Sequence, residues 1–245
     1  VYIHECEPGF QVASTGIACT VCGVGTANAN DTSSQTACQP CDAGTEPDPE
    51  RISCVACSPG WVSSTGGACT ICASGSAPSA DHSECVKCAP GMYTPAAGEP
   101  KCLSCGPGSV SAEGASQCTV CEPGKYANTT AWTCDACGDG TIAPGSATTE
   151  CQSCLAGKFM NASGARECLD CTRGYFCIQG SSAPLPCPAG TRKDPDLTVM
   201  SSPDQCIDCP EGTFCPVGSD EAKECSAGTY ISNSWLLARV RMSLR

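Results

Sequence analysis

The chain lacks the material for an ordinary hydrophobic interior. It holds 12 Val, 8 Ile, 8 Leu and 4 Phe in 245 residues, about 13%, where roughly 20% is the level below which a chain struggles to bury a core. Most of the nominal 41% hydrophobic content is Ala and Cys. Positive charge is scarce as well. Thirteen Lys and Arg face 25 Asp and Glu, for a formal net charge of −12, which excludes the basic footprint of a nucleic-acid binder. Every acidic residue lies at or before Glu224, whereas Arg239, Arg241 and Arg245 close the chain.

Other absences narrow the class further. There are 2 His, His4 and His82, and no G-x-S-x-G, so hydrolase chemistry has no constellation to work with. No apolar run reaches the ~20 residues of a membrane-spanning helix. No leader is visible, because the opening VYIHECEPG is already inside a repeat. The expectation is a fragment of a longer secreted or membrane-anchored protein, touching a membrane only through flanking regions.

What the chain has is 27 Cys, 26 Gly and 19 Pro. Cysteine at about 11% means disulfides in an oxidising compartment or a metal site. CxxC pairs begin at Cys19, Cys38, Cys54, Cys69, Cys85, Cys102, Cys118, Cys134, Cys151 and Cys168, at steps of 15 to 19 residues. A cysteine followed three positions later by glycine, as in CEPG, CSPG and CLAG, marks fourteen openers between Cys6 and Gly228, and Cys177 and Cys215 are followed by glycine in the same way. An aromatic often follows that glycine, and a second glycine precedes many closing cysteines, as in STGIAC and NASGAREC.

This pattern describes a unit. Pro then Gly is a turn signal, with Pro setting φ and Gly supplying positive φ. The aromatic starts a short extended segment and the second glycine turns the chain back. The next cysteine then lies within reach of the opener. The expected bridges are Cys6–Cys19, Cys22–Cys38, Cys41–Cys54, Cys57–Cys69, Cys72–Cys85, Cys88–Cys102, Cys105–Cys118, Cys121–Cys134, Cys137–Cys151 and Cys154–Cys168. Closing a loop of ~15 residues contributes about 3 kcal/mol on the chain-entropy model, against roughly 24 kcal/mol for ordering sixteen residues. A bridge alone therefore cannot hold a repeat. Turn hydrogen bonds and packing of the aromatic on nearby disulfides are expected to add the rest, with each repeat leaning on its neighbours.

The pattern changes after Cys168. Cys171, Cys177 and Cys187 are spaced as Cys209, Cys215 and Cys225 are. Cys171–Cys177 and Cys209–Cys215 are favoured, Cys177–Cys187 is the alternative, and Cys187–Cys206 is an ordinary longer loop. Cys225 opens a repeat with no closing cysteine and is the expected unpaired thiol. The last stretch, ISNSWLLARVRMSLR, is basic and free of Cys, Gly and Pro. It reads as a short amphipathic helix or as a segment foreign to the array.

The CxPGxY openers, CxxC junctions, GYFCIQGSSAPLPCPAGT and GTFCPVGSDEAKECSAGTY together resemble the ephrin-receptor-like cysteine-rich repeats of the growth-factor-receptor cysteine-rich superfamily. The single-bridge units are also similar to the first submodule of tumour necrosis factor receptor repeats. The resemblance covers roughly residues 6–230 and implies a module type, not a particular receptor.

Sharper chemistry is weighed against this. CxxC…CxxC is a zinc spacing, but zinc sites come as isolated quartets, not ten evenly spaced pairs. Redox CxxC motifs place an activated thiol at a helix start, and no helical pattern surrounds these junctions. Three N-x-[ST] sequons start at Asn30, Asn128 and Asn161, at +8, +7 and +7 from their openers, a shared loop position expected to be exposed. DPERISC and DPDLTVMSSPD carry local carboxylates but no D-x-[DN]-x-[DN]-G calcium loop. Trp61 and Trp132 are either ligand anchors or packing for the repeat's own disulfide.

The reading is a small disulfide-rich fold, an elongated tandem array of short β-hairpin and turn modules with little helix. Single-disulfide repeats span 6–170, compound ephrin-receptor-like repeats 171–230, and a basic tail 231–245. The expected function is a non-catalytic extracellular or cell-surface spacer or adhesive element without a cofactor, whose partners are extracellular proteins or glycans. A ligand-binding receptor segment is the alternative, and a metal-thiolate protein the remote one.

Overall fold

Each opener folds into the turn its residues dictate. In the computed structural model, which describes residues 6–16, 18–29 and 37–226 with the backbone of 229–230 and 241–242, the described opener glycines stand at positive φ, from 70° upward. The carbonyl one residue after each opening cysteine accepts a hydrogen bond from the N–H at +4. Phe10 N to Glu7 O is 3.1 Å, Trp61 N to Ser58 O 3.0 Å and Lys158 N to Leu155 O 3.0 Å. Glycine at the third position of such a turn is the type II arrangement. The returning strand is then locked to the same glycine. Its carbonyl accepts from the N–H of the next opener, as in Cys22 N to Gly9 O at 2.9 Å and Cys171 N to Gly157 O at 2.9 Å.

The result, among the described residues, is fourteen two-stranded sheets of short antiparallel strands. Pro203–Gln205 forms a 3-10 turn, and there is no α-helix among the described residues. Eleven disulfides join opener to closer, from Cys6–Cys19 to Cys154–Cys168 and then Cys187–Cys206. Two more, Cys171–Cys177 and Cys209–Cys215, span six residues each. The chain divides into two compact units, residues 1–119 with 129–133, and 120–128 with 134–245. The same stacking rule operates inside each.

Numbering repeats by openers (1 at Cys6, 2 at Cys22, 3 at Cys41, and on to 14 at Cys225), three backbone hydrogen bonds tie a repeat to the next. The opener glycine N–H donates to the carbonyl at +6 of the following repeat, as in Gly75 N to Thr94 O at 3.1 Å and Gly140 N to Met160 O at 2.7 Å. The N–H at +6 donates to the following repeat's tip, as in Ser63 N to His82 O at 2.9 Å. The tip N–H returns a bond to the preceding opener, as in Gly98 N to Cys72 O at 2.9 Å and Gly164 N to Cys137 O at 2.8 Å.

The stacking also reaches the repeat after next. A Cβ placed on Gly60 would lie 2.0 Å from the Gly98 carbonyl oxygen, two repeats on. On Gly75 it would lie 2.1 Å from Gly114 O, and on Gly124 2.2 Å from Gly164 O. Tip carbonyls therefore sit against the opener glycines of the repeat two before. Contact with immediate neighbours, the expectation from one-dimensional arrays, is only half of the packing.

Sulfur and small side chains fill the interior. Eleven of the fourteen opener cysteines are buried, with Cys22, Cys72, Cys121, Cys137 and Cys187 fully inaccessible, and Cys105, Cys209 and Cys225 are half-buried. Beside them lies the residue at +6: Asn28, Ser63, Thr94, Ser111, Ala127, Ala143 and Met160 are all buried. The polar ones are all hydrogen-bonded, as buried polar groups must be: Ser63 Oγ donates within its own repeat to Gly67 O at 3.0 Å, and the other three donate to the preceding repeat. Asn28 Nδ2 donates to Phe10 O at 2.7 Å, Ser111 Oγ to Met92 O at 2.9 Å and Thr94 Oγ1 to Ser76 O at 3.3 Å. The aromatics do not join this core, and Phe10, Trp61 and Phe214 are each 37% exposed.

The change after Cys168 is a change of wiring. Cys177 and Cys215 occupy the +6 position of repeats 11 and 13 and are buried like its other occupants. The closing position holds Pro184 and Ala222, so the opener bonds to +6 instead. Where the sequence left a helix open for the basic tail, Arg241–Met242 is a strand pairing with Thr229–Tyr230. The rest of that tail lies outside the described residues.

Candidate interaction surface

The outer side of the hairpins carries the exposed apolar groups. In repeats 1, 4, 6 and 10 an aromatic one or two residues after the opener glycine faces an aliphatic residue between the cysteines of the next CxxC. The register pairs Phe10 with Val21, Trp61 with Ile71, Tyr93 with Leu103 and Phe159 with Leu169. Phe176 faces Leu185 in the same way, where Pro184 replaces the first cysteine. Cross-strand pairs of this kind contribute roughly 0.2–1 kcal/mol each, so they help close the hairpin. They also leave apolar surface in solvent, with Val21 52%, Ile71 47% and Leu169 48% exposed. The aromatics that the sequence assigned to disulfide packing are thus hairpin partners on the outside.

Tips form the second surface. Gly66, Gly98, Gly114, Gly164 and Gly180 take positive φ there, and Arg51, His82, Trp132 and Ala147 adopt the same conformation without being glycine. That conformation is costly for a residue with Cβ. Three of the four offset it by reaching an earlier repeat. Arg51 donates from Nη1 to Cys22 O. His82 Nδ1 lies 3.0 Å from Trp61 O, which ties the ring to a carbonyl and gives it a structural task. Trp132 covers Gly91, where a Cβ would fall 2.0 Å from its Cζ3. It is a packing residue, against a glycine two repeats back and not its own bridge.

One carboxylate singled out in the sequence, Asp48, serves a tip, and Asp81 serves another. Asp48 accepts from Ile52 N at 2.8 Å and from Ser53 N and Oγ at 3.0 and 2.7 Å. These donors, the Ser53 hydroxyl foremost, hold its carboxyl below the usual range. Asp81 accepts from Ser79 Oγ at 2.7 Å and from Ser83 N and Oγ at 3.1 and 2.8 Å. The Ser79 and then Ser83 hydroxyls bring it down to about 2. Because the folded chain favours the ionised form, the contribution of this cap is complete above the ordinary value of 3.8 and is lost as pH falls through about 2. Carbon-detected NMR titration is expected to find the Asp81 midpoint near 2, and Ser79→Ala with Ser83→Ala to return it towards the ordinary value.

The remaining candidates are scattered. Asn161 is exposed, Asn128 is half-buried, and Asn30 lies outside the described residues. Cys225 has no disulfide partner and is half-exposed. No group of three or more His, Cys, Asp or Glu able to hold a metal occurs among the described residues, and no helix among them is long and apolar enough to cross a membrane. An open depression among the described residues is lined by one continuous stretch, 216–223, the tip of repeat 13. Against known proteins, the chain matches no family model and no curated protein.

The +6 column was missed in the sequence. Its signal was present all the same: one offset that holds Asn, Ser, Thr, Ala, Met or Cys after nine of the fourteen openers, with Val12, Pro47, Pro78, Lys193 and Ile231 at the others.

Proposed function

We propose that the chain is a non-catalytic, extracellular cysteine-rich segment that acts as a spacer or adhesive element of a cell-surface or secreted protein. The observation that carries this reading is the stacking rule. Repeats are joined by backbone hydrogen bonds and carbonyl-to-glycine contacts, and the side chains that cross between repeats, such as Asn28 and Thr94, also bond to backbone carbonyls, so one repeat can follow another without matched side-chain pairs. Thirteen disulfides suit an oxidising compartment. The polar groups with the most organised surroundings, Asp48, Asp81 and the buried +6 residues, are engaged in holding tips and strands. The resemblance to ephrin-receptor-like repeats points the same way. Exposed aromatic–aliphatic pairs offer surface to extracellular proteins or glycans.

The test is deletion of repeats 4 and 5, residues 57–87, which returns the chain to an opener in phase. A spacer is expected to remain folded and oxidised, to shorten in small-angle scattering, and to keep its thermal midpoint within a few degrees. Loss of folding would count against interchangeable repeats. If instead substitutions in one loop abolished binding to a surface partner while folding survived, the receptor-segment reading would replace this one. Reduced thiols with bound zinc would remove both.

A further inference from the structure

We propose that Asn161 carries an N-linked glycan and that Asn128, at the same offset in its own repeat, does not. The proposal rests on the extracellular reading above and says where on that surface modification falls. Both asparagines stand seven residues after an opener, Cys154 and Cys121, and both begin an N-x-[ST] sequon. The fold treats them differently. Asn161, Ala162 and Ser163 are all exposed, on the crest between the strands Lys158–Phe159 and Leu169–Asp170. The crest is fastened on either side of the sequon, by Met160 N to Ser181 O at 3.1 Å and Gly164 N to Cys137 O at 2.8 Å. The three sequon residues are left outside those anchors, and a sugar on Asn161 Nδ2 projects into solvent without disturbing either.

Asn128 ends the strand Lys125–Asn128 and is half-buried. Its Nδ2, the atom a glycan would occupy, donates to Asp135 Oδ2 on the returning strand at 2.7 Å. That bond links the two sides of the hairpin that Cys121–Cys134 closes. A sugar there stands between the strands, so the folded, oxidised chain retains Asn128 unmodified.

The reaction is a glycosyl transfer from a lipid-diphosphate-linked oligosaccharide. Asn161 Nδ2 forms a bond to the anomeric carbon, whose bond to the diphosphate oxygen breaks. The lipid diphosphate leaves with that electron pair, and the transferase's base takes one amide proton.

The full chain, secreted from a glycosylating eukaryotic cell behind a leader, is treated with peptide N-glycosidase in ¹⁸O water and mapped by mass spectrometry. Asn161 is expected to convert to labelled Asp and Asn128 to remain Asn. Ser163→Ala should remove one glycan from the secreted product, and Thr130→Ala should remove none. Unlabelled Asn161, or Asn128 labelled as fully as Asn161, in material whose thirteen bridges are formed would overturn the proposal. A non-reducing map of the same sample keeps the two readings apart, because reduced thiols there would indict the extracellular assignment, not the choice between asparagines.

Discussion

Gly60→Ala is expected to unfold the repeats around it, at a cost above about 4 kcal/mol, the range reserved for severe steric or backbone defects. Two effects add. Gly60 has φ of 85°, a conformation that costs an L-residue about 1–2 kcal/mol. Its missing Cβ would lie 2.0 Å from Gly98 O and 2.4 Å from Gly98 C, both backbone atoms of a tip tied to Cys72 O at 2.9 Å. No rotamer change can relieve that overlap. Gly124→Ala is expected to behave alike, with φ of 88° and Gly164 O at 2.2 Å. Two controls separate the effects. Gly190 has φ of 89° with nothing within 4 Å of the added carbon among the described residues, so Gly190→Ala should cost only the conformational part, about 1–2 kcal/mol. Gly138 has open space and no positive φ, and Gly138→Ala should fall within about 0.5 kcal/mol of the parent. Chemical denaturation of the four variants gives the ordering. Equal losses at Gly60 and Gly190 would mean that contact with the repeat two positions on carries no weight.

That contact explains why part of the architecture was legible and part was not. Hairpins could be read directly, because a turn residue and a cysteine leave letters at fixed offsets: Pro59 and Gly60 set the turn, and Cys57 and Cys69 frame the loop. Backbone packed on backbone leaves only glycine, whose two roles look identical in a sequence. Gly60 and Gly190 are the same letter at the same offset, yet among the described residues only Gly60 is pressed by a carbonyl. The tips were obscured for the opposite reason. Arg51, His82 and Trp132 take the glycine conformation and recover its cost through side-chain contacts with earlier repeats, so no glycine marks the place. The aromatics misled because hydrophobicity is a guide to burial only when a core has room for large rings. Here the opener sulfurs and the small +6 residues already fill it. Among the candidate site residues, the shared +7 offset of Asn128 and Asn161 was legible and their different surroundings were not. Those depend on Asp135 across the hairpin from Asn128, and no counterpart to that bond engages Asn161. The division near residue 170 reflects a change of bridge, whereas the compact units divide near 119–120.

Cys177→Ala alone is expected to destabilise repeat 11 by about 2 kcal/mol and to release Cys171 as a free thiol, while the double variant Cys177→Ala with Pro184→Cys is expected to restore a thirteenth bridge. The reasoning starts from position. Cys177 lies at +6, a site that holds alanine in repeats 8 and 9 as Ala127 and Ala143, both buried. Alanine therefore fits the interior, and the single variant loses mainly the bridge. Residue 184 stands three before the opener Cys187, where repeats 1 to 10 place the closing cysteine. The neighbouring strand pairing is already in register, with Tyr175 opposite Pro186 and Phe176 opposite Leu185, as Lys158 is opposite Asp170 and Phe159 opposite Leu169 in repeat 10. Cysteine at 184 then meets Cys171 as Cys168 meets Cys154, across a Cα–Cα distance of 5.8 Å. Closing that longer loop is worth about 3 kcal/mol against about 2 for the short one, so the rewired repeat should be at least as stable as the natural one. Peptide mapping should recover Cys171 linked to residue 184, and the denaturation midpoint should return to the parent value or above it. A double variant that kept Cys171 free would show that repeats 11 and 13 differ from the others in backbone geometry, and the single stacking rule for the whole array would have to be given up.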